Sequence, residues 1–538
     1  MLAGAAMTLA PRTTTAADAR IDVLMDEPIS RIDPNLYGHF VEHLGGVVYD
    51  GIWVGEGSPI ANTGGIRQAL VDRMRRIPAS VIRWPGGCFA DSYDWRDGVG
   101  PRDARPRRTN FWAEGMPKRP DGPWKYDPNH FGTNEFVRFV RLCKGHPYLA
   151  ANLRSLPARD FYQWIEYCNS PAGSTTLAEL RARGGDPEPM RVRFWGVGNE
   201  TWGCGGNLTP EEYAVEYRKF TAWVPRFGDE LSFIGSGPNG GDFGWTRRFF
   251  STLTAKGEGA LGSMWGWALH HYSWNVSRGA TTDWDAGKGD ALVYTTDEWY
   301  EMLAQADLME SLITAHWAVM GEIDRRHRVK LVVDEWGTWH KPGSEVHPSH
   351  HLGQQSTIRD ALVAGLTLDT FHRHADKVVM ANIAQLVNCL QSLFLTDGDR
   401  CITTPTYHVF AMYAPHAGAQ ALRTQFSAPR IGYQRVRDKG DVVGLAGSAS
   451  VNDRTITLTV VNPHATAACD ASIAIRGGRA QSAQASVLAA ADIHAHNTFD
   501  QPSVVAPADA TVTVGAGGAL MHRFPPASVT RVTVELNP

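Results

Sequence analysis

The chain has 538 residues, 43% of them apolar and 20% charged, which excludes a disordered or fibrous protein and exceeds one ordinary domain. With 52 basic against 56 acidic side chains the net charge is −4, so no global positive field exists to hold nucleic acid or an anionic membrane. No apolar run reaches the ~18 residues a spanning helix needs.

Residues 1–19 begin apolar and end polar, and no basic segment precedes Leu2. They read as a leader, either disordered or a truncated export signal. From about Ile21 to Leu422 short apolar runs alternate with segments of helical spacing. The runs predict strands at Tyr37–Glu42, Val81–Trp84, Tyr148–Asn152, Val192–Val197, Leu231–Ser236, Met264–His270, Leu331–Glu335 and Val378–Ala384. Between them, Gly65–Arg76, Asn134–Lys144, Pro210–Trp223, Asp307–Arg326 and Gln354–Phe371 predict helices. Eight apolar runs with intervening helices predict an α/β fold, a (β/α)₈ barrel over residues 34–415. After Tyr413 aromatics thin out and alternating stretches such as Thr455–Val461 and Ala510–Val514 predict a β-sandwich over 416–538. Residues 20–33 also alternate and are expected to lend that sandwich a strand.

The seven cysteines are odd in number, scattered and never in a Cys-x-x-Cys pair. Reduced thiols are expected, with neither a disulfide framework nor a structural zinc site. They favour a cytoplasmic location; a working export signal in residues 1–19 would instead place the protein in the periplasm or outside the cell.

Two segments carry chemistry. Arg193-Phe-Trp-Gly-Val-Gly-Asn-Glu200 is an apolar strand ending in Asn199 and Glu200, followed by a glycine-rich loop to Asn207. Barrel active sites are built at such strand ends, and Glu200 suits a general acid if Trp195 and Trp202 raise its pKa. Lys330-Leu-Val-Val-Asp-Glu335 ends in the same way before Trp336 and Trp339. Two carboxylates facing each other across a barrel mouth are what glycosidic bond cleavage requires, one donating a proton and one acting as nucleophile or base.

Three further patterns carry less. Gly235-Ser-Gly-Pro-Asn-Gly240 matches Gly-x-Gly-x-x-Gly, but Pro238 and the absent strand–helix–acid context favour a plain loop. His347, His350 and His351 read as a solvated loop at the rim of the site rather than a metal cluster. Asn199-Glu-Thr201 is a glycosylation sequon that the catalytic segment explains better.

Gly198-Asn-Glu200 and Asp334-Glu335-Trp336 resemble the acid/base and nucleophile segments of glycoside hydrolase family 51, the α-L-arabinofuranosidases. His39-Phe-Val-Glu42-His-Leu-Gly, Arg83-Trp-Pro-Gly-Gly-Cys88-Phe, Asp97-Gly-Val-Gly-Pro101, His270-His-Tyr272 and Ala381-Asn-Ile-Ala-Gln385-Leu-Val-Asn388 resemble other family motifs in order and spacing. The resemblance covers the chain from about residue 21. It implies a (β/α)₈ TIM barrel with a C-terminal jelly-roll-like all-β sandwich, and exo-acting, configuration-retaining removal of terminal α-L-arabinofuranosyl units. Glu335 would be the nucleophile and Glu200 the acid/base, their carboxyls roughly 5–5.5 Å apart. Glu42, Cys88, Asn199, Tyr272 and Gln385 would line the sugar pocket, with Arg83 supporting the carboxylates from below.

Family members commonly carry Asn where Cys88 stands, so a hydrogen bond to sugar is lost or taken over by a neighbour. Expected partners are arabinofuranose-containing glycans or oligosaccharides, with neither nucleic acid nor membrane; no cofactor or metal is expected. The resemblance also implies a homo-oligomer, a hexamer. The rival readings are an endo-acting β-glucanase or xylanase on the same barrel, and a catalytically silent carbohydrate-binding protein.

Overall fold

The computed structural model describes residues 17–113, 125–275, 286–348 and 350–537. Residues 1–16, most of the segment read as a leader, lie outside them, and so does the expectation about export.

Eight parallel strands close a barrel in sequence order. After an N-terminal strand β1 (Ala19–Arg31) they are β2 (Gly38–Phe40), β3 (Val81–Trp84), β4 (His146–Ala151), β5 (Phe194–Val197), β6 (Ser232–Gly235), β7 (Met264–Ser273), β8 (Lys330–Thr338) and β9 (Val378–Ile383). All eight coincide with predicted runs. The helices are α1 (Gln68–Met74), α2 (Thr133–Leu142), α3 (Ala158–Asn169), α4 (Thr176–Arg183), α5 (Pro210–Thr221), α6 (Phe243–Leu253), α7 (Thr296–Gly321), α8 (Ile358–Arg373) and α9 (Pro405–Tyr413). No helix among the described residues is long and apolar enough to cross a membrane.

Local sequence explains the helix starts. Thr209, Thr295 and Thr357 each accept a hydrogen bond from a first-turn N–H while Glu212, Glu298 and Asp360 reach back to the cap, forming capping boxes. The Thr295 box starts α7 eleven residues before the predicted Asp307, a signal that periodicity alone passed over. Every residue of α8 from Ile358 to His372 is buried. A helix buried all round must be covered on both sides, and here the barrel covers one side and a β-sheet the other.

That sheet is built from β10 (Gln420–Ser427), β11 (Ala446–Asn452), β12 (Thr455–Asn462), β13 (Cys469–Arg476), β14 (Ala480–Ala489), β15 (Ala508–Thr511), β16 (Thr513–Val514), β17 (Leu520–Phe524) and β18 (Ser528–Leu536). With β1 they form one ten-stranded ladder, ordered β15-β14-β18-β12-β11-β10-β1-β13-β17-β16. Ile21, Val23, Leu458, Ile473, Leu520 and Val532 belong to its own core.

Barrel helix and sheet meet through a buried polar network. Ser448 and Thr459 donate to Asp369 Oδ1 at 2.7 and 2.6 Å, and Tyr413 donates to Oδ2 at 2.9 Å. Burial pushes the Asp369 carboxyl up to about 7. The fold therefore keeps a proton that the unfolded chain has already released, and this contribution to stability falls as pH rises from about 4 to about 7. Asp369→Ala is expected to lower unfolding free energy by about 3 kcal/mol at about pH 5 and by less at about pH 8. Urea melts at the two pH values check both the loss and its direction.

Candidate active site

Strand alternation sorts the barrel interior into layers. Val81, Tyr148, Phe194, Ile234, Ala268, Val332 and Met380 form an apolar floor with one residue from each of seven strands. Two residues further along their strands, and so on the same face, come Arg83, Gly196, Asp334 and Asn382. Gly196 is required there, because a Cβ would stand 2.9 Å from Tyr148 Oη. The Tyr148 hydroxyl instead donates to Asp334 Oδ2 at 2.8 Å, and Asn382 Nδ2 donates to Oδ1 at 2.8 Å.

Arg83 rises from this layer, fully buried, and ties the two motif segments together. It donates to Glu335 Oε1 at 2.8 Å and to Asn199 Oδ1 at 2.6 Å, and pairs with Asp334 at 3.2 Å. Burial acts to lower its pKa, but Asp334 and Glu335 outweigh that and the guanidinium stays charged. Tyr272 Oη donates to Glu335 Oε2 at 2.7 Å, so both carboxylate oxygens hold a donor. Burial would raise the Glu335 carboxyl; His270 and Arg83 overcome it, leaving the pKa below the ordinary glutamate value.

Glu200 follows β5 in a left-handed backbone conformation, φ +39°, strain of the kind that collects at functional sites. His270 Nδ1 lies 3.0 Å from Glu200 Oε1 and 3.6 Å from Glu335 Oε2. One oxygen of each glutamate and the His270 nitrogen all lie within 4.8 Å of one another. Burial acts to lower the His270 pKa, but the two carboxylates raise it overall.

Glu42, from the end of β2, accepts from the backbone N–H groups of Gly87 and Phe89, each at 3.0 Å, and from Gln385 Nε2 at 3.3 Å. Its burial is the larger effect and pushes its pKa up to about 7. Glu42, Cys88, Asn199, Glu200, Tyr272, Glu335 and Gln385 line one hollow of about 60 Å³, together with the side chains of Trp112, Trp339, Leu352 and Leu390. A larger open cleft of about 570 Å³ is lined by Arg218, Trp223 and Gly259 but holds no carboxylate, so the smaller hollow is where chemistry is possible.

Four expectations are corrected. Cys88 and Cys204 form a disulfide rather than remaining thiols, with Cα atoms 5.5 Å apart; their separation of 116 residues gives no spacing signal. Trp195 does not approach Glu200. Strand alternation turns it outward against Phe161 and Trp164. His350 is buried 3.5 Å from Asp50 and packs on His347, so this loop is not simply solvated. A helix does follow the Gly235–Gly240 loop, but Asp242 already caps α6 through Trp245 N–H.

Sequence motifs contain His270 and Asp334 but assign neither a role; the structure sets His270 against Glu200 and Asp334 against Arg83 and Tyr148. Asp91 is buried and accepts from the backbone N–H groups of Leu153 and Asn199 at 2.8 and 3.1 Å, anchoring the strand that delivers Glu200. Burial pushes its carboxyl up to about 7.

An acidic pair at the carboxyl-terminal mouth of a barrel, a buried member held ionised and a partly exposed one strained into the same hollow, defines a glycoside hydrolase. Two domain models of the α-L-arabinofuranosidases match, the α-L-arabinofuranosidase 1 domain at residues 73–289 and the C-terminal domain at 334–528. An intracellular exo-α-L-arabinofuranosidase of Bacteroides ovatus is 34% identical over 96% of this chain and 95% of its own. The crystal structure of the GH51 arabinofuranosidase of Xanthomonas axonopodis pv. citri is 35% identical with TM-score 0.88, covering 97% of this chain and 100% of that one. A Thermotoga maritima α-L-arabinofuranosidase in an arabinose complex is 28% identical with TM-score 0.81, over 96% and 100% of the two chains. The chain belongs to the α-L-arabinofuranosidases of glycoside hydrolase family 51.

Proposed function

We propose that the protein is a retaining, exo-acting α-L-arabinofuranosidase that removes terminal arabinofuranosyl units from glycans or oligosaccharides by double displacement. The observation that carries this reading is the approach of a Glu200 oxygen and a Glu335 oxygen to within 4.8 Å of each other around His270. That spacing supports the retaining geometry, because an inverting pair stands wider, ~6.5–9.5 Å, to admit a water. Glu335, ionised and held by Arg83 and Tyr272, attacks the anomeric carbon. Glu200 protonates the departing oxygen and then takes a proton from the water that releases arabinose. Glu42, Asn199 and Gln385 bind the sugar hydroxyls, and the small hollow suits one terminal unit better than a running polymer. The test is hydrolysis of an aryl α-L-arabinofuranoside followed by NMR. Release of α-arabinofuranose before mutarotation is expected; release of the β-anomer would overturn the mechanism, and no release beside cleavage of a polymer would overturn the exo reading.

The hydroxyl of Tyr272 stabilises the ionised form of Glu335. Tyr272→Phe is expected to raise the Glu335 pKa and move the acid limb of kcat/KM to higher pH by up to about one unit. A pH–rate profile with the limb unmoved would remove Tyr272 from this role. By family resemblance the protein assembles as a homo-oligomer, a hexamer, which light scattering on the eluted protein checks.

A further inference from the structure

We propose that opening the Cys88–Cys204 disulfide creates a thiophilic metal site, completed by Glu200, and that a soft divalent cation bound there silences the enzyme. The two sulfurs and a Glu200 carboxylate oxygen lie within 4.8 Å of one another. Cys204 Sγ stands 3.8 Å from Glu200 Oε2, close to the ~3.5 Å that separates a sulfur and an oxygen sharing a tetrahedral zinc ion. Two thiolates on such an ion sit ~3.8 Å apart, which Cα atoms 5.5 Å apart reach by side-chain rotation.

The surroundings are arranged for the ion. Glu200 Oε1 is occupied by His270 at 3.0 Å, leaving Oε2 for the sulfur side. Asn199 Oδ1 is fixed by Arg83, so its Nδ2 faces Cys204 Sγ at 3.8 Å, a donor that steadies a thiolate. Both half-cystines are partly exposed and Cys88 lines the hollow, whereas Cys143, Cys168, Cys389 and Cys401 are buried and Cys469 lies away in the C-terminal sheet. The other described cysteines are free thiols, so among the described residues a disulfide reductant acts at this partly exposed pair. With a trialkylphosphine, two electrons pass from phosphorus into the S–S bond; the oxygen of one water ends on phosphorus and its two protons on the two sulfurs. Binding one divalent cation then displaces both thiol protons. Zinc or cadmium is the class of ion that two thiolates and one carboxylate select.

Metal binding follows from this geometry alone; silencing rests in addition on Glu200 being the acid/base. The full chain is reduced with a water-soluble phosphine and titrated with Cd²⁺, reading the ultraviolet thiolate-to-cadmium band and aryl arabinoside hydrolysis together. One equivalent of Cd²⁺ on the reduced protein is expected to give the band and to cut turnover at least about tenfold, with recovery on chelation. The oxidised protein is expected to show neither change. Glu200→Gln, reduced in the same way, is expected to hold Cd²⁺ about tenfold more weakly by the same band. That comparison stands even if reduction alone slows the enzyme. No band on the reduced protein, a band equally strong in Cys88→Ser, or unchanged affinity in Glu200→Gln would overturn the site. A band with undiminished turnover would overturn the silencing while leaving the double-displacement reading to its own NMR test.

Discussion

Glu335→Gly is expected to lose ~10⁴-fold or more in kcat on every arabinofuranoside, because no neighbour can replace the attacking oxygen. That loss corresponds to at least about 5.5 kcal/mol of transition-state stabilisation. Arg83 would remain with one fewer carboxylate, and Tyr272 Oη would lose its acceptor. The vacated space faces the anomeric carbon from the side opposite the leaving group. Added azide is therefore expected to enter there and restore turnover of an activated aryl arabinoside, giving the β-arabinofuranosyl azide, inverted relative to substrate. An α-configured azide, or a variant with full activity, would show that Glu335 is not the nucleophile.

Glu200→Ala is expected to behave differently by leaving group. A general acid is worth ~10²–10⁴-fold when the departing oxygen is basic, as in an oligosaccharide, and little when it is a good phenolate. Natural-type substrates should lose that full factor, while an activated aryl arabinoside should form the covalent intermediate readily and then stall for want of a base. A burst of phenolate followed by slow turnover would record this, and azide should relieve the stall with retained α configuration. Equal losses on both substrates, without a burst, would remove Glu200 from the acid/base role.

Much of this architecture was legible because a barrel strand announces itself twice, by its apolar run and by the polar residues at its carboxyl end. Glu200 and Glu335 were found that way, and periodicity located all eight strands. What it did not resolve were relations across the barrel. His270 contacts Glu200 only because β6 and β7 carry it round to that side, and Asp91 reaches Asn199 from a different loop. The disulfide joins two loops that are distant in sequence. The position of Trp195 is itself legible in the sequence: a period of two along Phe194-Trp195-Gly196-Val197 puts Phe194 and Gly196 inside and Trp195 outside.

Strand β1 lies in the middle of the C-terminal ladder, antiparallel to β10 and parallel to β13. During synthesis β1 leaves the ribosome before the barrel and is thus among the last segments to find its place. It has to wait, with both sides unpaired, while nearly four hundred residues of barrel are made between it and its neighbours. The barrel is in this sense enclosed between strands of one sheet, and the C-terminal region expressed alone would lack β1 and expose two raw edges. Chaperone engagement of nascent β1, and aggregation when β1 is deleted, are the costs this arrangement predicts.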